Sequence, residues 1–481
     1  MNVYKILLFI VGVNILLALL CIFFPKDGIP FGKRRLFFPT LEEIMDREKH
    51  ITAKEKLEIM ESGLRMQFVM DSTAHAEQMA YNDSLLFYTN FFNHHPARFY
   101  FPDNDSSFFD SLFYSLDNCK KNNELIHILH YGDSQIEADR ITGFIRQKLQ
   151  EQFGGNGPGL IPAIQPIPSA SVGQTSSGNM ERYTIAGNLL NEAEHNRYGI
   201  LGQTTEIYEY GTITIAARNL KSTFENVKDF SKVRVFVSRN SQNFSASLNA
   251  GNNNPITRTL QDENSKLSVL TWELKKNIHK IELQFSGDAE ISAIALDGNA
   301  GVAVDNIPLR GSSGTFFTSI DVNTFLPVLK ELNVRLIIME FGGNRIPSIQ
   351  SSKNIDEYTN SIAKQINYLY DIYPSAKILF IGPSDMSTME NGHLQTYPYL
   401  KETVQGIKET ALKNGAAFWD MFEVMGGENS MIEWVNNKPA WAAPDYIHFS
   451  EKGADKIAEM FCESLMIYYN YLQFTNNYKQ K

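Results

Sequence analysis

Cysteine is scarce in this chain: three among 481 residues, Cys21, Cys119 and Cys462. Their spacing fits neither a disulfide framework nor a metal motif, so Cys119 and Cys462 are expected as free buried thiols. Positive charge is also in deficit, with 44 Lys and Arg against 54 Asp and Glu and a formal net charge of −10. No basic run interleaves with aromatic residues, which excludes the usual footprint of a nucleic-acid binder. The glycine-rich run Gly154 to Gly159 lacks the Lys-Ser/Thr ending of a phosphate loop and follows a helical stretch rather than a strand. We expect it to be a loop that comes close to the rim of the active site.

Long apolar runs are limited to one. Residues 6–25 are almost continuously apolar, interrupted by Asn14, and could span a bilayer as a helix. No small-x-small cleavage site follows, which favours an uncleaved anchor over a signal peptide. The remainder is then expected outside the cytoplasm. Charge alone does not choose this orientation, since Lys26, Lys33, Arg34 and Arg35 follow the span and only Lys5 precedes it. Large domains translocate largely regardless of charge.

What is present is an ordinary globular composition, 43% apolar and 20% charged, at a length that calls for two or three domains. The first half of the stretch Glu124 to Gln135 reads as a buried strand, Gly132-Asp133 as a turn, and Ile136 to Phe153 as a helix. From 172 to 304 short strand-like runs such as Lys232–Val237 and His279–Phe285 are separated by Asn, Ser and Gly. That texture predicts an antiparallel β-sandwich, carbohydrate-binding-like by analogy of fold. Strand–helix alternation then resumes: Val334–Phe341, Asp356–Tyr370, Ala376–Ile381, Leu400–Lys413, Ala416–Asp420 and a final helix from Glu451 to Tyr468. The class is α/β, a parallel sheet covered by helices on both faces. The expected organisation is an N-terminal anchor at 1–25, stalk and entry helices at 26–115, an α/β part at 116–171, the inserted sandwich at 172–304, and a second α/β part at 305–481.

Four places carry candidate chemistry. Ser134 lies between the first strand and its helix, where open α/β sheets place ligands; the alternative is that Asp133 and Ser134 are no more than helix caps. Near the end stand Asp445 and His448, three apart on a loop. A histidine base needs a hydroxyl to serve and a carboxylate to hold its tautomer; the alternative is a histidine that caps or underlies the last helix. Asn344, after Gly342-Gly343 at the end of a buried strand, offers an amide to a developing oxyanion, and Gly311 offers a backbone N–H. Asp385, His393 and Tyr397 lie beyond another strand end and could line a cleft. His130 reads as a packed strand residue, and Glu137, Asp139 and Arg140 as an exposed helix face, with Gln135 and Asp139 as possible borders of the pocket.

Gly132-Asp133-Ser134, Gly311, Gly342-Gly343-Asn344 and Asp445-x-x-His448 resemble, in order, the four blocks of the SGNH (GDSL-type) hydrolases. The resemblance implies a flavodoxin-like sheet, Ser134 as nucleophile, His448 as base, Asp445 as its orienting carboxylate, and an oxyanion hole built from the Ser134 N–H, Gly311 and Asn344. No metal or organic cofactor is implied. Arg345 departs from the Asp that commonly follows the Asn, and Gln135 from the common Leu. The β insertion and the Met425-Gly426-Gly427 run with Met431 and Trp434 resemble, more narrowly, peptidoglycan O-acetylesterases and related envelope O-acetyltransferases. That implies acyl transfer from an O-acetylated envelope glycan on the periplasmic side of the inner membrane, in some relatives beside a membrane-bound O-acyltransferase. The competing class is a non-catalytic glycan-binding envelope protein whose site has decayed.

Overall fold

The computed structural model describes residues 29–31, 34–36, 57–58, 77–187, 191–220, 223–251, 254–261 and 266–479. The apolar run at 6–25 lies outside them, and among the described residues no helix is long and apolar enough to cross a membrane. Of the first 52 residues, only an antiparallel pairing of Ile29–Phe31 with Arg34–Leu36 is described.

The central sheet contains β1 (Phe99–Tyr100), β2 (Leu125–Gly132), β3 (Gly301–Pro308), β4 (Val334–Glu340), β5 (Lys377–Ile381) and β6 (Ala417–Trp419). Their spatial order is β3-β2-β4-β5-β6-β1. The first five are parallel, and β1 joins β6 as an antiparallel edge. The parallel strands therefore follow the flavodoxin-like order 2-1-3-4-5, whose direction of winding reverses between β2 and β4. The crevice beyond the carboxyl ends of those two strands is the place such sheets offer to a ligand.

Side chains alternate across this sheet, which is why its strands read as unbroken apolar runs. Leu336 and Ile338 of β4 enter one core with residues of α2 (Asp110–Cys119), α3 (Arg140–Phe153) and the C-terminal helix Glu451–Lys479. Ile337 and Met339 enter the opposite core with residues of α4 (Val322–Glu331), α5 (Ser352–Ile372) and α6 (Leu400–Lys413). Cys119 and Cys462 are free and buried.

Two expectations about organisation are corrected here. From residue 77 onward, the segment expected as a stalk belongs to the α/β core. The helix α1 (Glu77–His94) packs Tyr88 and Phe92 against Tyr468 and Tyr471 of the C-terminal helix, with Phe92 stacked on Tyr468 at 4.4 Å. Its aromatic residues had no legible partner because that partner is the other end of the chain. The glycine-rich run does not reach the active-site rim. It packs at the opposite end of β3, where a Cβ on Gly155 would lie 2.4 Å from the Val302 carbonyl oxygen. Backbone packed this closely leaves no space for a side chain.

The insertion is one continuous antiparallel sheet, not two separate ones. Its main path runs Ile256–Leu260, Phe244–Asn249, Lys280–Ser286, Gln203–Ala217, Ala289–Asp297, Phe230–Asn240, Ser268–Ile278. The two ends of the path meet, since the Trp272 indole donates to the Ile256 carbonyl at 2.8 Å. The expected sandwich is thus a sheet wrapped around a common core that includes Val235, Phe244, Trp272 and Phe285. Its Phe236, Ala293 and Ala295 pass into the same core as Leu129 of β2 and Met339 of β4.

Candidate active site

Strand β2 ends at Gly132, paired with Pro308 of β3 and Glu340 of β4. A Cβ there would meet the Ile136 side chain at 2.9 Å and the Glu340 carbonyl oxygen at 3.2 Å, so the close approach of the two strand ends requires glycine. The chain then passes through a turn in which Ala138 and Asp139 have φ of 62° and 66°. Helix α3 begins only at Arg140. Ser134 is therefore neither a helix cap nor at the helix mouth, contrary to the strand–turn–helix reading. It stands half-buried in a longer turn.

The Ser134 hydroxyl lies 2.8 Å from His448 Nε2, and His448 Nδ1 lies 2.8 Å from Asp445 Oδ2. The other Asp445 oxygen accepts from the backbone N–H groups of Ile447 and His448, both at 3.0 Å. Burial pushes the Asp445 carboxyl up, but the N–H and ring of His448 together with the Ile447 N–H outweigh it and hold the group below its ordinary range. An ionised Asp445 keeps the ring proton on Nδ1. That leaves Nε2 free to accept the proton of Ser134.

Gly311, at φ 81°, lines the same cleft as Ser134, Asn344 and His448. Both amide hydrogens of Asn344 are engaged, one with Asp133 Oδ2 at 2.8 Å and one with the Ser312 carbonyl at 3.1 Å. Asn344 thus ties the nucleophile turn to the Gly311 loop, and must exchange one of these bonds to serve an oxyanion. The Tyr358 hydroxyl supports that loop by donating to the Ser313 carbonyl at 2.9 Å. Burial raises the Asp133 carboxyl to about 7, its bond from the Gln135 N–H opposing and the nearby Glu340 adding to the rise.

Two residues of the site were undervalued in the sequence. Gln135 donates to the Ile447 carbonyl at 2.7 Å and accepts from the Phe449 N–H at 3.3 Å, so one side chain grips the backbone on either side of His448. Arg140 donates to the Ser134 carbonyl and, at 3.2 Å, to the Phe449 carbonyl. The exposed helix face expected there is absent, because Asp139 is buried and held by Arg146 through bonds of 2.6 and 3.0 Å. His130 is a packed strand residue, bonded to Glu340 and Thr142. Asp385, His393 and Tyr397 are not among the residues lining the cleft. Asp385 is buried beneath it, accepting from the Thr396 hydroxyl at 2.7 Å and the Met431 N–H at 2.9 Å. The Met425–Trp434 stretch seats the histidine loop: the Trp434 indole donates to the Met425 carbonyl at 2.9 Å and its ring meets Phe449 at 5.3 Å.

Residues 287–456 match the model of the GDSL-like Lipase/Acylhydrolase family, a stretch that holds Gly311, Asn344, Asp445 and His448. Over that stretch the chain is similar to the SGNH (GDSL-type) hydrolases. Ser134 falls outside the matched stretch because the insertion separates it from the other three blocks. A solved structure of a peptidoglycan O-acetylesterase shares the fold with a TM-score of 0.60 and 21% identity, over 75% of this chain and 96% of its own. A family two carbohydrate esterase from Cellvibrio japonicus aligns at a TM-score of 0.25 and 9% identity, over 63% of this chain and 99% of its own; so low a score carries no weight. No curated protein sequence matches. The insertion groups His195, Glu206 and Glu290 closely enough to hold a metal ion. Arg197 already neutralises Glu290 through bonds of 2.7 and 2.5 Å, which argues against a cation there.

Proposed function

We propose that this chain is a serine esterase that removes O-acetyl groups from a cell-envelope glycan, with peptidoglycan as the first candidate, through an acetyl-serine intermediate. The reading is carried by the unbroken chain of hydrogen bonds from Asp445 through His448 to Ser134. His448 takes the hydroxyl proton as Ser134 attacks the acetyl carbonyl. The carbonyl electron pair moves onto oxygen, facing the N–H groups of Ser134 and Gly311 and the Asn344 amide. Collapse of this intermediate expels the sugar oxygen, which takes the proton from His448. Water, giving its proton to the same ring, then attacks acetyl-Ser134, and collapse releases acetate as the Ser134 oxygen takes that proton back from His448.

Hydrolysis is favoured over transfer to a second hydroxyl because the site is open. His448 is 30% exposed and Asp445 47%, and a transferase must keep water from its acyl-enzyme. The fold of the peptidoglycan O-acetylesterase supports the choice of glycan. Residues 6–25, acting as an inner-membrane anchor, would hold the enzyme beside such a substrate, downstream of a membrane-bound O-acyltransferase that installs the acetyl group. Ser134→Ala is expected to lower turnover of p-nitrophenyl acetate and of O-acetylated glycan by at least about a thousandfold. Equal activity in the two proteins removes Ser134 from the mechanism. Acetylated glycan formed from a donor and bare glycan would establish transfer instead.

A further inference from the structure

A second cavity lies beside the catalytic cleft, between the α/β part and the insertion, and the two share Arg310 as a wall. Its charges do not balance. Among its lining residues Arg146 is matched by Asp139, and Arg310 faces Glu137 at 3.6 Å. Arg182, reaching in from the insertion strand Val172–Thr184, has no carboxylate within 4.0 Å among the described residues. Its Nε donates to the amide oxygen of Gln203 at 2.6 Å. Burial lowers the Arg182 pKa with no neighbouring charge to oppose it.

A half-buried guanidinium without a carboxylate partner beside an open cavity favours an anion, and its planar fork suits a carboxylate. One uncompensated charge matches a monoanion better than the roughly twofold charge of a phosphate monoester near neutral pH. The other walls suit a sugar: side-chain amides from Gln165 and Gln203, and apolar surface from Pro166 and Leu309. Arg310 lines both this cavity and the cleft, so the two are close enough for a single polymer to occupy both.

We propose that the cavity is a subsite for an acidic glycan, in which Arg182 holds the carboxylate of a sugar unit near the one whose acetyl group lies at Ser134. This rests on the esterase reading, and the test separates the two. Hydrolysis of p-nitrophenyl acetate, abolished in Ser134→Ala, reports on the esterase reading alone. The subsite is read from two O-acetylated oligosaccharides of equal length and acetyl content, an oligouronide and its carboxyl-reduced counterpart. Wild type should prefer the acidic oligomer in kcat/KM by roughly tenfold or more, the scale of one charge-assisted hydrogen bond. The preference should fall to about one in Arg182→Met and return in part in Arg182→Lys. Because each ratio is taken within one protein, a loss of folded enzyme cancels. Three outcomes overturn the subsite: no preference in wild type, a preference that survives in Arg182→Met, or hydrolysis of neither oligomer by enzyme that turns over p-nitrophenyl acetate. If Arg182→Met does not fold, the wild-type ratio and that of Arg182→Lys decide.

Discussion

Gln135 does with one amide what His448, the proposed base, cannot do for itself: it fixes the peptide groups before and after the ring. Gln135→Leu would leave the Ile447 carbonyl and the Phe449 N–H without these partners and free the ring to drift from Ser134. Misplacement of about an ångström costs on the order of a hundredfold in rate, so kcat on p-nitrophenyl acetate should fall by roughly ten- to a hundredfold with KM little changed. An unchanged kcat would show that the loop holds itself. The hydrogen-bonded trio was legible because Asp445 and His448 are close in sequence and Ser134 follows the end of a strand. Gln135 was not, because its partners are backbone atoms more than 300 residues away, which no local pattern encodes. Two buried carboxyls make a different prediction. Burial raises Asp385 to about 6, against its bonds from Met431 and Thr396, and Asp133 to about 7. Each binds its proton more tightly folded than unfolded. Their contribution is therefore full below the ordinary carboxyl value of about 4, and stability is lost as pH rises through 6 and 7. Asp445, held low, works the other way and loses its contribution as pH falls through its depressed value. Stability and melting temperature should decline from pH 5 to pH 8, and Asp385→Asn should remove roughly 1 to 1.5 kcal/mol of that decline. The same decline in both proteins would show that Asp385 titrates normally.

The turn between β2 and α3 is the element on which the nucleophile depends, and its shape is unfavourable by itself. Two consecutive residues with side chains, Ala138 and Asp139, occupy the left-handed region, a cost of order 1–3 kcal/mol each that neighbours must offset. The offset comes from three sides. The Ala170 N–H donates to the Ala138 carbonyl at 3.0 Å, the Ser171 hydroxyl donates to the Asp139 carboxylate, and Arg146 holds the same carboxylate while its Nε reaches the Val304 carbonyl at 2.6 Å. Residues 170 and 171 lead into the insertion, so the insertion's entry braces the turn that carries Ser134. Arg146→Met would leave Asp139 buried without its cation. Loss of one partner from a buried pair costs about 3–5 kcal/mol, and urea denaturation should read a loss of that size. A change under about 1 kcal/mol would mean that Ser171 and water suffice. Alternation had revealed β2, a continuous apolar run had revealed β4, and helical spacing had revealed α3. The helix start was misjudged because Ile136 fits the apolar pattern of α3 while sitting in the turn, where it packs beneath Gly132.

Across the whole molecule the question is why a wrapped β sheet inside an α/β chain does not fold as a separate body. The texture change near residue 172 correctly marked a β unit, but the sequence treated it as a unit hung from the sheet. The structure joins the two through their centres. Arg234 and Asp297 of the insertion are buried with His127 of β2 and Asp305 of β3. Arg234 donates to Asp297 at 2.9 Å and to His127 Nε2 at 3.0 Å, and His127 Nδ1 bonds Asp305 at 2.7 Å. The other Asp305 oxygen accepts from the Leu160 N–H at 2.7 Å, on a strand that pairs with the insertion. None of these spacings is readable locally, since each bond joins residues dozens of positions apart or more. A buried polar network whose members come from both bodies penalises either body standing alone, because each would carry unpaired buried charge. The wild-type protein should therefore unfold in one transition, with far-UV circular dichroism and tryptophan fluorescence coincident. Fluorescence is a useful second probe because Trp419, Trp434 and Trp441 lie in the α/β part and only Trp272 in the insertion. Arg234→Met should cost about 3–5 kcal/mol and separate the two curves, the sheet-rich insertion signal leaving first. Coincident curves at wild-type stability would mean that the apolar contact of Phe236, Ala293 and Ala295 with the sheet already binds the two bodies, and that the ionic network is incidental to their cooperation.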